Sequence, residues 1–488
     1  MMNMKVIRAL IILLLCSVGA FAQEKTEWTL QECIDYALEN NLNVMRSELN
    51  VESQNINYDQ ARWSRIPNAN ANGSYSYSWG RSIDPTTNLF VDNQRIVSAN
   101  GNISSNVTLF NGLRLHNTVK QNRLSYEASQ KDLLKAKNDV IFDVITFYTN
   151  VLFSRELLEN ARTQLKSTDQ QVDLTKRQVD VGALPKSNLL DLQAQKATNE
   201  LNVVNRENDY KMAKIQLKQI LQLPPNTEID IVVPEIDVET EPVMELSAIE
   251  IYKIALNAMP EVQSAELSKQ SAEVGVQAAR GNLYPTLSLQ GGLTTRYSDA
   301  ADQPRFVPDG GEPTIDPTPV IGYVQGSNTP VISNQPRVTP SGQIVDGYAF
   351  GDQIDDNLSK FVSLNLSIPI FNGFSARASV QRAKISYEQA EINEKDTKYQ
   401  LWRMIEQAYF DVIAAIKSYN ASETQVAARE ESFRVMKQRY DIGAVNFTNY
   451  QIAENDLFQA KSDLLRAKYD YIFKLKILDF YQGKPLDF

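Results

Sequence analysis

Four stretches of the chain alternate polar and apolar residues with a period of two, and long segments with apolar residues three and four apart run between them. In "ANGSYSYSWG", Ala71, Gly73, Tyr75, Tyr77 and Trp79 take one face of an extended strand, and Asn72, Ser74, Ser76 and Ser78 take the other. In "KFVSLNLSIPIF", Val362, Leu364, Leu366, Ile368 and Ile370 oppose Ser363, Asn365, Ser367 and Pro369. Residues 102–110 and 286–297 alternate less cleanly, through Val107 and Leu109 in one and Leu287, Leu289 and Leu293 in the other. Small hydroxyl and amide groups on one face suit a wet lumen, and Tyr and Trp on the other suit a membrane interface.

The helical segments are long. Residues 113–181 and 374–442 contain neither Gly nor Pro; at 1.5 Å per residue, each predicts a rod of about 100 Å. Such a rod must pack along others to bury its apolar stripe. Each reaches a break, "VDVGALPKSN" or "YDIGAVNFTN", and a second uninterrupted segment follows at 187–223 or 448–481. Gly182 and Gly443 fit the left-handed position after a helix end, and Ser187 and Thr448 fit the N-cap of the returning helix. Along the last segment Leu457, Ala460, Leu464, Ala467, Tyr471, Lys474 and Leu478 step by three and four, a coiled-coil seam interrupted by one Lys.

The pattern occurs twice. Phe110, Asn111 and Gly112 return as Phe371, Asn372 and Gly373, and the same offset of 261 carries Tyr148 to Tyr409, Gly182 to Gly443, Asn188 to Asn449 and Tyr210 to Tyr471. Upstream, Ala37, Val44, Arg62 and Pro67 pair with Ala255, Val262, Arg280 and Pro285 at an offset of 218. The difference is an insertion in the second copy, rich in Pro, Gly and Asp, at about 298–358. Phe-Asn-Gly marks the passage from each second strand into its long helix, where Gly frees the backbone, Asn turns and caps, and Phe anchors the strand end.

Four strands cannot close a barrel, and an open sheet edge is not viable in hydrocarbon. Three chains would supply 3 × 4 = 12 strands, above the minimum of about eight for a bacterial outer-membrane barrel. The first residues support export: Lys5 and Arg8 precede an apolar run that ends in Ala20-Phe21-Ala22, a signal peptide over 1–22. Cleavage there discards Cys16, which is not expected to be lipidated, and leaves Cys33, so an intramolecular disulfide framework is excluded. The formal charge of −10 becomes −12 without Lys5 and Arg8, a poor match to nucleic acid. With 43% hydrophobic and 22% charged residues, neither global disorder nor a polytopic helical membrane protein is indicated.

No catalytic, cofactor or metal constellation stands out. The one histidine, His116, opens a long helix as a solvated residue, and no HExxH, P-loop or G-x-S-x-G sequence occurs. Phe142, Phe147, Tyr148 and Phe153 read as helix packing, and Cys33 as a small apolar residue. Asp352, Asp355 and Asp356 in the insertion lack EF-hand spacing.

The repeated Phe-Asn-Gly junctions, the duplicated strand pairs and the paired "VGA" and "IGA" tips together resemble the TolC family of outer-membrane factors. The resemblance implies a mainly α fold with a membrane β part: long antiparallel helical hairpins forming a trimeric α-barrel in the periplasm, and four strands per chain in a shared 12-stranded barrel in outer-membrane lipid. It divides the chain into a first repeat at 23–223, an equatorial linker at 224–246, a second repeat at 247–481 with an extracellular loop at the insertion, and a tail at 482–488. It implies a passive exit duct of a tripartite efflux or type I secretion system, docked to a periplasmic adaptor and fed by an inner-membrane transporter, with no cofactor. The rival is a trimeric structural or adhesive surface protein, which would carry one terminal barrel and a passenger.

On the same resemblance Val181, Gly182, Ala183, Ile442, Gly443 and Ala444 are the adaptor-docking tips. Ser187, Asn188, Asp191, Tyr440, Thr448 and Asn449 are expected at a periplasmic constriction. Aspartates that line this constriction elsewhere in the family are replaced by Asn188, Asn449 and Ile452, and Asp191 is the nearest acidic residue.

Overall fold

The computed structural model describes residues 27–83, 90–233, 246–301 and 305–484. The expected signal peptide, Cys16, most of the linker and the last four residues lie outside these. The chain divides into two compact units that cut across the sequence repeat, Met1–Asp59 with Lys120–Val276 and Arg382–Phe488, and Gln60–Val119 with Gln277–Gln381.

The first unit holds most of the helical residues, although the ends of four helices fall within the bounds of the second. A two-residue strand β1 (Glu27–Trp28) leads to α1 (Leu30–Asn40) and α2 (Leu42–Trp63). The long helices are α3 (Arg114–Asp180) and its return α4 (Lys186–Ile220), then, after β4 (Asp230–Ile231), α5 (Ala248–Ala258) and α6 (Pro260–Arg280). A short helix α7 (Phe350–Asp356) belongs to the second unit, and α8 (Ser375–Asp441) and α9 (Phe447–Tyr481) come last. The rods α3 and α8 have 67 residues each, and the returns α4 and α9 have 35 each. Thr29 and Glu32 close α1 reciprocally across their backbone amides, and both the amide and the hydroxyl of Ser247 donate to Glu250 at the matching start of α5.

Two apolar cores hold these helices. One joins Cys33, Ala37 and Val44 to Val144, Tyr148, Val151 and Leu217; the other joins Ile251, Ala255 and Val262 to Ile405, Val412, Tyr471 and Leu478. Most members correspond at the offsets of 218 and 261. Tyr148 donates to the carbonyls of Trp28 and Val232 at 3.2 and 2.6 Å, which secures the parallel β1–β4 pair. Phe142 meets Phe480 edge to face at 4.6 Å, so the aromatic cluster serves packing. The α9 seam is buried at Leu457, Ala460, Ala467, Tyr471 and Leu478, and its one Lys, Lys474, turns to Asp470 at 2.8 Å.

The second unit holds one antiparallel sheet ordered β12-β5-β3-β2, with β2 Asn68–Ile83, β3 Phe90–Phe110, β5 Thr286–Ser298 and β12 Ser359–Ser367. The register sets Leu364 beside Leu289 and Val107, and Leu293 beside Ile103 and Ala71. Leu364, Ile103 and Trp79 are 62, 54 and 73% exposed, so the apolar face is uncovered. β12 stops at Ser367, short of the expected Ile368 and Ile370, because Pro369 has no amide to donate to the ladder.

Within the insertion the chain forms short strands. β6 (Arg305–Pro308), β7 (Thr314–Asp316) and β8 (Val320–Tyr323) pair in turn with β11 (Gly342–Val345), β10 (Arg337–Thr339) and β9 (Pro330–Ile332), three antiparallel pairs nested in one another. The Pro and Gly residues that suggested a loop fall largely between or at the ends of these short Val- and Ile-bearing strands. Helix α7 (Phe350–Asp356) returns the chain to the sheet through Gln353, fully buried, which accepts from the Ser298 amide at 2.9 Å and donates to the Ser298 and Tyr348 carbonyls.

Candidate functional site

Both tips end their rods in the same way. The Gly182 amide donates to the Val179 carbonyl at 2.9 Å and the Ala183 amide to the Gln178 carbonyl at 2.8 Å; Gly443 and Ala444 repeat this to Tyr440 and Arg439 at 2.9 and 2.8 Å. These are Schellman closures, and they require the left-handed φ of 74° and 73° found at Gly182 and Gly443. A Cβ at either glycine would meet nothing within 4 Å, so the backbone angle alone selects glycine. Val181 and Ile442 are each 80% exposed, an apolar pair presented to solvent.

The expected N-caps are each displaced by two residues. Pro185 precedes α4 without a side-chain cap, and Asn446 caps α9 by accepting from the Asn449 amide at 3.0 Å. Ser187 and Thr448 therefore sit inside the first turn, exposed. The reason is chemical. Pro185 holds an extended backbone without needing a donor, and the short Asn446 side chain reaches the first-turn amides, whereas Thr448 is already the second residue of the helix.

The side chains of Asn188 and Asn449 take part in none of the described hydrogen bonds, and Asp191 is exposed. Tyr440 is placed differently. Its ring stacks on Tyr450 with centroids 5.0 Å apart and approaches Phe447 at 6.0 Å. Phe447 and Tyr450 bury against Leu192 of α4, with Val172 of α3 and Phe433 of α8 around them. Burial pushes the Tyr440 hydroxyl above its ordinary pKa, opposed by Thr175 beside it.

This aromatic core was missed in the sequence, although Phe433, Tyr440, Phe447 and Tyr450 are spaced seven, seven and three apart. The first copy has Val172, Val179, Lys186 and Leu189 at those positions, so the asymmetry between copies was the available signal. A second missed feature is a polar seam between α3 and α9. Asn160 donates to Ser462 at 3.0 Å, Gln164 to Asn455 at 3.1 Å, Ser167 to Glu454 at 2.8 Å and Gln171 to the Tyr450 hydroxyl at 3.3 Å. Glu454 is buried, which raises its carboxyl pKa; the hydrogen bonds from Ser167 and Tyr450 and the charge of Lys437 oppose the rise.

The arrangement offers glycine-closed turns, an aromatic clasp and a polar seam of side-chain hydrogen bonds. Among the described residues no group of three or more His, Cys, Asp or Glu is placed to hold a metal ion, and no helix is long and apolar enough to cross a membrane.

The outer membrane efflux protein family model matches residues 33–222 and 251–483. The chain belongs to that family. It is 24% identical over 353 residues to the outer membrane protein TolC of Escherichia coli, a match spanning 72% of this chain but 61% of that protein's length. Against the outer membrane efflux protein BepC of Brucella suis it is 21% identical, covering 91% of this chain and 83% of the relative. The solved Campylobacter jejuni CmeC outer membrane channel superposes with a TM-score of 0.68 at 17% identity, over 95% of this chain and 90% of that one. The family is one of outer-membrane efflux proteins and not of enzymes, which favours the duct over the adhesive rival.

Proposed function

We propose that three copies of this chain form a passive exit duct, sharing one 12-stranded barrel in the outer membrane and enclosing a helical passage in the periplasm. One observation carries the reading. The sheet ends on both sides in strands with a single neighbour, β12 and β2, while its apolar face stands uncovered. Lipid can cover that face but cannot satisfy the free amides and carbonyls of the two edges. A copy of β2 beside β12, repeated three times, removes every edge. The correspondence of the two cores at fixed offsets supports reading each chain as one unit built twice.

The tips carry the second part of the proposal. The exposed Val181 and Ile442, each beside a rigid glycine turn, are the contact for a periplasmic adaptor that is in turn fed by an inner-membrane transporter. Ser187, Asn188, Asp191, Tyr440, Thr448 and Asn449 line or brace the narrowing near those tips. Mass measurement of the detergent-purified protein tests the assembly: a trimer is expected, and a stable folded monomer would refute it. Val181→Asp with Ile442→Asp tests docking, since these exposed changes leave the turns intact. Lost efflux with normal trimer levels is expected, and unchanged efflux would remove the tips from the contact.

A further inference from the structure

The apolar face of the sheet changes character along its length. Near the helix junctions its rows are aliphatic, with Leu366 beside Leu287 and Leu364 beside Leu289 and Val107. Toward the other end they become aromatic and then basic: Tyr75 and Tyr297 flank Ala99, Tyr77 faces Val97, and Trp79 faces Arg95. We propose that this end of the face binds the phosphate of an anionic lipid headgroup, with the Arg95 guanidinium as the cation and Tyr75, Tyr77 and Trp79 as its platform. The inference rests on the reading that this face lies against lipid.

Length places the group at the right depth. From Val107 to Arg95 is 107 − 95 = 12 residues along β3, about 40 Å of strand, or about 30 Å along the membrane normal at a tilt of about 40°. That is about 5 Å more than the apolar band of about 25 Å on an outer-membrane barrel, so a sheet with the Val107 row at one boundary holds the Arg95 row just past the other, at headgroup level. Phosphates lie at that boundary, and no solvating water lies below it.

Chemistry places the group in the right form. The Arg95 guanidinium lies over the Tyr77 ring at 5.4 Å from its centroid, and Tyr77 continues the aromatic row, at 6.1 Å from Trp79 and 5.3 Å from Tyr75. A guanidinium stacked on a ring keeps its edge donors free for two oxygens of one phosphate, whereas an ammonium would use its donors in all directions. Among the described residues no ion pair reaches Arg95, and the nearby Asp299 is turned away to accept from the Val97 amide at 2.7 Å. A second guanidinium, Arg81, lies over the Phe90 ring at 4.9 Å in the same region. The exposure of Tyr75 at 63% and Trp79 at 73% leaves the platform open to an acyl chain below the headgroup.

The test uses the full-length protein purified in a neutral detergent and titrated with three probes: diphosphorylated lipid A, the same lipid with both phosphates removed, and inorganic phosphate. Thermal unfolding reports binding. The phosphorylated lipid is expected to raise the melting temperature, with the other two probes giving little rise at the same concentration. Arg95→Gln is expected to weaken the half-saturating concentration at least tenfold, and Tyr77→Leu, which keeps the charge and removes the ring, to weaken it less. An equal rise with the dephosphorylated lipid, or an unchanged titration of Arg95→Gln, overturns the site. A rise with inorganic phosphate as large as with the lipid overturns the headgroup as its source. Cell fractionation of the same variants separates the two readings: protein absent from the outer membrane refutes the lipid-facing sheet, whereas protein present there with an unaltered titration refutes only the site.

Discussion

Gly112→Ala and Gly373→Ala make the same change at matched junctions, and the structure gives them different outcomes. Both glycines have left-handed φ, 64° and 59°, so each alanine meets the steric penalty of that region, on the order of 1 kcal/mol. Their surroundings differ. A Cβ at Gly112 would stand 2.7 Å from the Tyr284 Cβ and 2.8 Å from the Gly281 carbonyl oxygen, while one at Gly373 would meet nothing within 4 Å. The carbonyl belongs to a 3-10 turn whose Tyr284 amide it already accepts at 3.1 Å, so it cannot simply retreat. Overpacking of that kind adds about 1–3 kcal/mol. Gly373→Ala should therefore lose about 1 kcal/mol and Gly112→Ala about 2–4 kcal/mol, a gap of about fivefold to about 150-fold in the unfolding equilibrium. Urea unfolding of the detergent-purified protein, read from the mobility of unheated samples on a gel, measures the gap. Equal midpoints for the two variants, or a lower midpoint for Gly373→Ala, would refute the reasoning.

Three further outcomes follow from individual side chains. Because burial raises the Glu454 pKa, stability from this group is full below its ordinary 4.5 and declines as pH climbs through the raised folded value; Glu454→Gln should accordingly gain stability relative to wild type as pH rises from 4.5 toward neutrality, and parallel denaturation curves at both ends would contradict this. Burial pushes the Cys33 thiol up to about 12, so maleimide at pH 7.5 should leave it unmodified in native protein and label it fully in urea. Asn188→Asp with Asn449→Asp should introduce or strengthen block of the single channel by divalent cations applied from the tip side, at least about tenfold, since crowded carboxylates ligate such ions directly; equal block in both proteins would place these residues away from the ion path.

Much of the fold was legible because it rests on local chemistry that repeats. The uninterrupted segments became rods whose ends, Asp180 and Asp441, fall one residue inside the expected bounds, since Gly182 and Gly443 admit the turn that ends a helix. The sheet was legible as four strands because period-two patterning survives without a tertiary partner. Its order, with β3 beside β5, was not, because either hairpin could pair with the other through either edge. The breaks at Asn41 and at Met259-Pro260 were also hidden. Asn41 interrupts a helical pattern only because its side chain turns back to accept from the Asn43 amide at 2.8 Å and donate to the Ile220 carbonyl at 3.4 Å.

The candidate site shows where repetition misleads. Matching offsets drew attention to what the two tips share, the glycine turn and the Asn at 188 and 449. What holds the tips is where the copies differ. Phe433, Tyr440, Phe447 and Tyr450 replace Val172, Val179, Lys186 and Leu189, and the larger rings of the second copy close over Val172 and Leu192 of the first. Between α3 and α9 the balance reverses. There four hydrogen bonds link groups that water can also satisfy, each worth about 1 kcal/mol net, whereas burying one aromatic side chain contributes about 2–3 kcal/mol that water cannot replace. The paired residues lie 279 to 302 positions apart, so neither side of the seam carries a mark of its partner. Only the folded chain shows that the rings and the polar seam meet, since Tyr450 packs in the aromatic cluster and its hydroxyl accepts from Gln171.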